Sequence, residues 1–270
     1  MGALHDGHLS LLSAARQSAG FVAMTLFVNP LQFGEATDLA AYPRDLARDL
    51  DLAEHAGADA VFTPTVREMY PVGRPETRIV PGRLATMLEG ESRPGHLEGV
   101  AVVVTKLFAL AGSCVAFFGE KDYQQLVIVR RLVADLDLPV EVAGCPIVRD
   151  HDGVALSSRN RRLSAEERGA AVVLSRALAA GRLALEKGHA PREAEGVMAD
   201  VLAAEPLVQR DYAVVRDAET LEPVTGTSSR GAAATRAGGA NGVPPSRSRL
   251  RLLVAARIGP VRLIDNMAAA

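Results

Sequence analysis

The chain opens with the stretch Met1-Gly2-Ala3-Leu4-His5-Asp6-Gly7-His8, around which the rest of the sequence is organised. Its two histidines lie three residues apart, and the apolar run that follows has helical spacing, so both imidazoles are predicted to lie at the first turn of a helix. A helix N-terminus attracts anions, because its unpaired N–H groups and its dipole point outwards. With two imidazole donors beside it, this turn favours a polyphosphate ligand.

Two other interpretations of the histidine pair stay open. A pair of histidines near a terminus is often solvated or structural, and the H-x-x-H spacing can also supply half of a metal site. The sequence contains no matching cluster of cysteine and histidine residues elsewhere, which weakens the metal interpretation.

The bulk composition is that of an ordinary globular protein. With 270 residues, 48% of them hydrophobic and 23% charged, the chain can build one large core or two modest ones. A net charge of −2 argues against nucleic acid or a membrane surface as a partner. Cys114 and Cys145 lie in apolar, strand-like runs, so we expect reduced, buried thiols and a cytoplasmic protein. We expect neither a signal peptide nor a membrane-spanning helix, because the longest apolar runs are short and bounded by charges.

Apolar runs and helical patterns alternate along the first part of the chain. Residues 21–28 form a continuous apolar run that Asn29-Pro30 stops, which predicts a buried parallel strand. This order of elements predicts a doubly wound α/β fold with a parallel sheet, in which ligands bind at the carboxyl ends of the strands. Further strands are predicted at residues 58–62, 114–118 and 140–148, and helices at residues 44–57, 100–111 and 123–136.

A second, smaller α+β domain is predicted at residues 151–270, after a first domain of residues 1–150. Ser164 and Glu167 form a capping-box pattern that opens a long helix to about residue 187. Residues 226–249 contain no acid and almost no large apolar side chain, so we expect a flexible insertion there; a basic tract with a binding role is the alternative. A second helix is predicted at residues 191–204, and strands at residues 211–215, 250–256 and 261–265.

Five further motifs accompany the opening stretch. They are Asn29-Pro30-Leu31-Gln32-Phe33, Tyr42-Pro43-Arg44, Glu89-Gly90-Glu91-Ser92-Arg93-Pro94-Gly95-His96, Phe118-Gly119-Glu120-Lys121-Asp122-Tyr123-Gln124-Gln125 and Leu156-Ser157-Ser158-Arg159-Asn160. In order and spacing they closely resemble the pantothenate synthetase family, the pantoate–β-alanine ligases of the HIGH-signature nucleotidyltransferase superfamily, over nearly the whole chain. The resemblance implies a Rossmann-like sheet with a further strand and helix before Met1. We therefore expect an N-terminally truncated chain or a misassigned start, and a sheet that lacks its usual first strand.

The resemblance implies an ATP-dependent ligase. In such an enzyme (R)-pantoate attacks the α-phosphorus of ATP and pyrophosphate leaves. β-Alanine then takes the pantoyl group from the pantoyl adenylate, which yields pantothenate and AMP. The family also implies Mg²⁺ and a homodimer. Two alternatives are kept: another nucleotidyltransferase of the superfamily, which would stop after nucleotide transfer, and an inactive, truncated fragment.

The resemblance also implies an ATP site drawn from separate parts of the chain. His8 is the expected proton donor, Asp122 is expected to bind the ribose, and Val148 to hold adenine through its backbone. As alternatives, Lys121 belongs to a surface trio of charges and residues 157–160 form an ordinary polar linker. Catalytic roles are expected for His5, His8, Lys121, Ser157, Ser158 and Arg159. The expected ATP-binding residues are Met1, Gly2, Ala3, Leu4, His5, Asp6, Gly7, His8, Gly119, Glu120, Lys121, Asp122, Val148, Leu156, Ser157, Ser158 and Arg159.

The other substrates are expected to meet amide side chains. By the same resemblance, Gln32 and Gln125 would hold pantoate and β-alanine, and amides can bond hydroxyls and carboxylates without adding charge. Asp49 is expected to help hold Mg²⁺, which lies mainly on the ATP phosphates. Arg93 and His96 are expected to order the loop beside the site. The structural alternatives are a surface amide for Gln32 and a solvated helix carboxylate for Asp49.

Overall fold

The computed structural model describes residues 2–33, 39–40, 42–224 and 249–270. The expected site residue Met1 and all but the last residue of the expected insertion at 226–249 lie outside this part of the chain. The chain divides into two compact units. The first comprises Met1–Val148 and Leu156–Ser158, and the second comprises Arg149–Ala155 and Arg159–Ala270.

Strands and helices alternate in the first unit. Its strands are β1 (Ala23–Thr25), β2 (Ala60–Phe62), β3 (Cys114–Gly119) and β4 (Val140–Cys145). Its helices are α1 (Asp6–Ser18), α2 (Leu46–His55), α3 (Val66–Met69), α4 (Glu89–Ser92), α5 (His96–Ala111) and α6 (Tyr123–Asp135). Short 3₁₀ helices cover Pro30–Gln32, Gly82–Ala85 and Glu120–Asp122.

The strands of the first unit pair in parallel, as predicted. Within the described residues they form two sheets of two strands each rather than one continuous sheet. β1 pairs with β2 from Ala23 opposite Ala60, and β3 pairs with β4 from Cys114 opposite Val140. β1 is shorter than the apolar run at residues 21–28 that predicted it, since only Ala23–Thr25 pair with β2. Phe21, at the start of the run, is 67% exposed.

Two apolar cores support these sheets. In one, α1 and α2 pack against β1, and the buried side chains include Leu4, Met24 and Ala53. In the other, α5 and α6 pack against β4 through side chains such as Phe108 and Val129. β3 contacts both cores: Phe117 packs against the first, and Cys114, Ala116 and Phe118 pack against the second.

The cysteines differ slightly from the expectation. Both are free thiols, but only Cys145 is buried, whereas Cys114 is partly exposed. Burial raises the pKa of both thiols, which keeps them protonated and unreactive. In the described part of the chain, no helix is both long enough and apolar enough to cross a membrane.

The second unit combines helices with an antiparallel sheet of strand order β5-β6-β7. The predicted capping box is present, since the Glu167 N–H donates to Ser164 Oγ at 3.2 Å. The long helix predicted after it is two helices, and the break follows Gly169, a residue that weakens helices. The elements are α7 (Ala165–Ala170), α8 (Val172–Glu186), α9 (Pro191–Ala203), β5 (Val208–Asp217), β6 (Leu250–Ile258) and β7 (Val261–Ala268).

One continuous apolar core fills the second unit, with Leu178, Met198 and Leu252 fully buried in it. At its edge the Arg149 guanidinium donates to both oxygens of Asp265, at 2.6 and 2.9 Å. This bidentate salt bridge connects the segment Arg149–Ala155 to β7.

Candidate active site

The histidine pair lies at the start of α1, as the sequence predicts. His5 is the residue before the helix, and its carbonyl accepts a hydrogen bond from the His8 N–H at 2.7 Å. The His5 N–H in turn donates to His8 Nδ1 at 3.4 Å, and the two ring centroids are 4.1 Å apart. Both imidazoles therefore face the same end of the helix.

His8 is held in its neutral form. Burial, followed by the repulsion from His5, lowers the pKa of His8 to about 3. A neutral imidazole carries one proton, and Nδ1 accepts the His5 N–H, so the proton belongs on Nε2. His8 thus presents a neutral N–H donor beside the helix N-terminus.

The loop after β3 reaches the same place. Asp122 raises the pKa of His8 and Lys121 lowers it, so both charges act on the imidazole through space. The Lys121 side chain is only 19% exposed, and its Nζ lies 3.8 Å from Asp122 Oδ1. Lys121 is therefore not a solvated surface charge, whereas its neighbour Asp122 is 53% exposed. The Cβ position of Gly119, at the end of β3, faces open space.

Residues 156–158 lie beside the opening stretch. The Leu156 N–H donates to the Val148 carbonyl at 3.0 Å, so two of the expected ATP-site residues bond to each other. The Tyr42 hydroxyl lies 3.4 Å from Ser158 Oγ and also donates to the Gly2 carbonyl at 3.4 Å. Tyr42 therefore links the opening stretch to the segment Leu156–Ser158.

Arg159 belongs to the second unit, whereas Ser157 and Ser158 belong to the first. It lies in the 3₁₀ helix Ser158–Arg162. The next residue, Asn160, donates from its amide to the Ala155 carbonyl at 3.0 Å. The expected role of Arg159 in phosphate binding stays a prediction.

Gln32 is positioned by a buried residue that sequence reasoning missed. The Asn29 amide donates to the Gly99 carbonyl at 3.0 Å, and its oxygen accepts from the Leu31 N–H at 3.2 Å and the Tyr70 hydroxyl at 2.8 Å. The same amide lies 3.4 Å from Gln32 Oε1. Asn29 thereby fixes the 3₁₀ helix Pro30–Gln32, and its position directly before a proline was the available signal.

Two side chains from the next motif hold the Gln32 backbone. His96 Nδ1 lies 2.8 Å from the Gln32 carbonyl, and Arg93 lies 3.0 Å from His96 Nε2. Burial, followed by the charge of Arg93, lowers the pKa of His96 to about 4, so the ring is neutral. Nδ1–H therefore donates to Gln32 while Nε2 accepts from Arg93.

The two neighbouring glutamines of α6 have different surroundings. Gln124 is buried, accepts the Glu89 N–H at 3.0 Å, and donates to the Leu84 and Met87 carbonyls at 2.7 and 2.8 Å. It holds the loop before α4, a role that the sequence did not indicate. Gln125, the predicted substrate ligand, is half-buried on the adjacent position of the helix.

Asp49 is buried rather than solvated, with only 2% of the residue exposed, so the alternative of a solvated carboxylate is wrong. Its two oxygens accept the N–H groups of Ala3 at 2.9 Å and Leu4 at 2.8 Å. Within the described residues, no group of three or more histidine, cysteine or acidic side chains is gathered that could hold a metal. Both oxygens of Asp49 already have a backbone donor, and its expected role in holding Mg²⁺ stays a prediction.

Comparison with known proteins identifies one family. The sequence model of the family described as pantoate-beta-alanine ligase matches residues 1–268. The pantothenate synthetase of Salinispora arenicola (strain CNS-205) is 49% identical over 271 residues, which cover 99% of this chain and 88% of that protein.

Solved structures give the same result. The pantothenate synthetase of Thermus thermophilus has a TM-score of 0.88 at 46% identity, covering 100% of this chain and 91% of its own. The pantoate-beta-alanine ligase of Francisella tularensis, solved with beta-gamma ATP and beta-alanine, has a TM-score of 0.75 at 30% identity, covering 100% and 87%. The predicted α/β fold class with a separate C-terminal antiparallel sheet is confirmed by these likenesses. The chain therefore belongs to the pantoate–β-alanine ligase family.

Proposed function

We propose that the enzyme joins (R)-pantoate to β-alanine in two steps driven by ATP. In the first step a pantoate carboxylate oxygen bonds to the α-phosphorus of ATP, and the bond to pyrophosphate breaks. In the second step the β-alanine nitrogen bonds to the acyl carbon of the pantoyl adenylate, loses a proton, and AMP leaves. The products are pantothenate, AMP and pyrophosphate.

The first step gathers negative charge on phosphoryl oxygens, so it needs fixed donors around them. In the proposal, the α1 N-terminus, His5, His8 and Lys121 provide these donors. His8 acts as a neutral Nε2–H donor, because an imidazole with a pKa of about 3 carries no extra proton to give at neutral pH. Ser157, Ser158 and Arg159 complete the set of proposed phosphate contacts.

In the proposal, residues that follow the strands bind pantoate and the ribose and adenine of ATP. Gln32 and Gln125 hold pantoate through its hydroxyls and carboxylate. Asp122 accepts a hydrogen bond from a ribose hydroxyl, and the Val148 backbone contacts adenine. The rigid support of Gln32 by Asn29 and His96 favours this role, because a preorganised amide loses little entropy on binding.

One observation supports the proposal most strongly: the charges of Lys121 and Asp122 act on the His8 ring, although the loop after β3 is far from α1 in sequence. The relative from Francisella tularensis, solved with beta-gamma ATP and beta-alanine, supports the choice of substrates. Mg²⁺ enters the proposal only as the companion of the ATP phosphates, and no step is assigned to it.

Exchange of labelled pyrophosphate into ATP tests the proposal. We expect exchange that depends on pantoate and needs no β-alanine, and net release of AMP only once β-alanine is added. If pyrophosphate exchange occurred but no AMP were released after β-alanine is added, the result would favour a nucleotidyltransferase that stops at nucleotide transfer. A chain that shows neither reaction and no cooperative thermal transition would be an inactive fragment.

We also propose, from the family resemblance, that the enzyme acts as a homodimer in the cytoplasm. Light scattering at enzyme concentrations used in the assay tests the first part, with twice the chain mass of 28.5 kDa as the expected result. A mass equal to one chain in an active sample would contradict it.

A further inference from the structure

Two neighbouring side chains of α2 clamp the backbone directly before the histidine pair. Asp49 accepts the N–H groups of Ala3 and Leu4, at 2.9 and 2.8 Å, one on each carboxylate oxygen. From the preceding position, Arg48 donates to the Leu4 carbonyl at 3.3 Å. Three backbone groups of one dipeptide are thus held by consecutive residues of one helix.

The clamped dipeptide is strained. Ala3 has a φ of 53°, in the left-handed region that favours glycine. The same conformation turns the Ala3 and Leu4 N–H groups towards one point, which creates a binding position for a carboxylate. Hydrogen bonds to an ionised oxygen are stronger than neutral ones, so Asp49 stabilises a backbone shape that alanine otherwise avoids.

The clamp lies one peptide away from the donors of the proposed phosphate site. Leu4 precedes His5, and the His5 N–H and carbonyl are both bonded within the turn that carries His8. A shift of Leu4 therefore moves His5 and His8 together. Asp49 itself is buried among these backbone groups, and its position is set in turn by Asp45, whose side chain caps α2 through the Arg48 N–H at 3.1 Å.

We propose that Asp49, assisted by Arg48, is a positioning residue for adenylate formation: it fixes the strained Ala3-Leu4 backbone and thereby the two imidazoles. The role is an alternative to the expectation that Asp49 binds Mg²⁺. It rests on the proposed function, but the clamp itself can be tested without any catalytic assay.

The test compares Asp49→Asn with Asp51→Asn. Both substitutions remove one carboxylate from α2, but the Asp51 side chain is 68% exposed. Asparagine at position 49 keeps the shape and one acceptor oxygen and loses the other. We expect kcat for pantoate-dependent pyrophosphate exchange to fall by roughly ten- to a hundredfold, the effect of a small misplacement of catalytic groups, with a smaller change in KM for ATP. Asp51→Asn should retain the wild-type rate.

Titration with Mg²⁺ distinguishes a positioning role of Asp49 from a role as a metal ligand. For a positioning residue, the Mg²⁺ concentration that gives half-maximal rate stays the same in Asp49→Asn while the maximal rate falls. A tenfold or larger rise in that concentration, with recovery of the rate at saturating Mg²⁺, would overturn the proposal in favour of a metal ligand. Arg48→Ala, which keeps the carboxylate, should give a reduction of only a few-fold.

Nuclear magnetic resonance tests the hydrogen bonds of the clamp without a catalytic assay. In Asp49→Asn we expect faster hydrogen exchange of the Ala3 and Leu4 amides and altered ring ¹⁵N signals of His5 and His8, with no such change in Asp51→Asn. If these signals and exchange rates matched the wild type, the clamp would be refuted whatever the enzyme catalyses. If they changed while the wild type showed no pyrophosphate exchange, the proposed function would fail and the clamp would stand.

Discussion

Buried polar side chains contact different kinds of partners in the two units. In the first unit, Asn29, Asp49 and Gln124 each bond to backbone groups of another segment of the chain. In the second unit, the buried polar residues bond mainly to other side chains, as when the Arg251 Nε donates to Asn266 Oδ1 at 2.7 Å. Two of the segments held in the first unit, Ala3-Leu4 and the 3₁₀ helix Pro30–Gln32, contain or adjoin proposed site residues. In the second unit, the bond between Arg251 and Asn266 joins two strands of one sheet.

This difference separates two kinds of sensitivity. A backbone loop that loses its polar support can shift a site residue, and a shift of about 1 Å can slow a reaction by about a hundredfold. An apolar core that loses atoms keeps its topology but loses free energy of unfolding. Substitutions in the first unit should therefore change kinetic constants first, and substitutions in the second unit should change stability first.

The largest expected effect is on the rate. Lys121→Ala removes a cationic donor from the proposed phosphate site, and we expect pantoate-dependent pyrophosphate exchange to slow by roughly 10²–10³-fold. The melting temperature should stay close to that of the wild type. Lys187→Ala, at an exposed position after α8, is the control and should leave the exchange rate unchanged. Normal exchange in Lys121→Ala would remove this residue from the proposed mechanism.

The matching experiment in the second unit concerns Leu252, which is fully buried in β6. Leu252→Ala should lower the free energy of unfolding by about 2–5 kcal/mol, because it removes buried atoms and leaves a cavity. Urea denaturation followed by circular dichroism measures the loss. KM and kcat of the folded enzyme should not change.

Leu183→Ala provides the comparison, since Leu183 is 48% exposed on α8. We expect a change within about 0.5 kcal/mol for it. A drop in kcat without a drop in stability for Leu252→Ala would contradict the separation between the units.

The sequence predicts elements best where the pattern is local. The apolar spacing of α5 and α6 lies within one helix, and the Ser164–Glu167 capping box spans four residues, so each can be recognised without knowledge of the fold. The motif residues His5, His8 and Lys121 could likewise be named from the sequence, and the structure brings their segments together.

The support of the site could not be predicted in the same way. Asp49 bonds to Ala3 across 46 positions of the chain, and Asn29 bonds to Gly99 across 70. No periodicity or spacing in the sequence encodes such pairs, because they depend on how two elements pack. The family resemblance suggested that Asp49 helps to hold Mg²⁺, whereas its bonds to the Ala3 and Leu4 N–H groups could not be foreseen from the sequence.

Gly99 gives a test of this long-range support. A Cβ at this position would lie 2.3 Å from the Leu31 carbonyl oxygen and 2.9 Å from the Gln32 N, so Gly99→Ala must push the 3₁₀ helix away. We expect KM for pantoate to rise on the order of tenfold, as Gln32 moves out of place. Gly196→Ala is the control: its Cβ meets nothing within 4 Å on α9, and it should stabilise the protein slightly. An unchanged KM in Gly99→Ala would argue against Gln32 as a pantoate ligand.

The smallest expected effect is the dependence of stability on pH, and it arises in the first unit. In the folded chain burial lowers the pKa of His8 to about 3 and that of His96 to about 4, against an ordinary value of 6.5. Below pH 6.5 the unfolded chain therefore binds protons that the folded chain does not. The stability that these residues contribute is fully present well above pH 6.5 and is lost as the pH falls from 6.5 towards about 4 for His96 and about 3 for His8.

Melting curves between pH 7.5 and pH 6 measure the start of this loss. In this range the two residues together should cost about 1.5 kcal/mol, which lowers Tm on the order of 3–6 °C. The fall should shrink in His8→Asn and in His96→Asn, because asparagine does not titrate in this range. His55→Asn is the control of opposite sign: the Asp51 carbonyl raises the pKa of His55, so any contribution of that exposed residue is present at low pH and lost as the pH rises. If His55→Asn reduced the fall in Tm at acid pH while His8→Asn and His96→Asn did not, the acid sensitivity of the protein would not come from the buried imidazoles of the first unit.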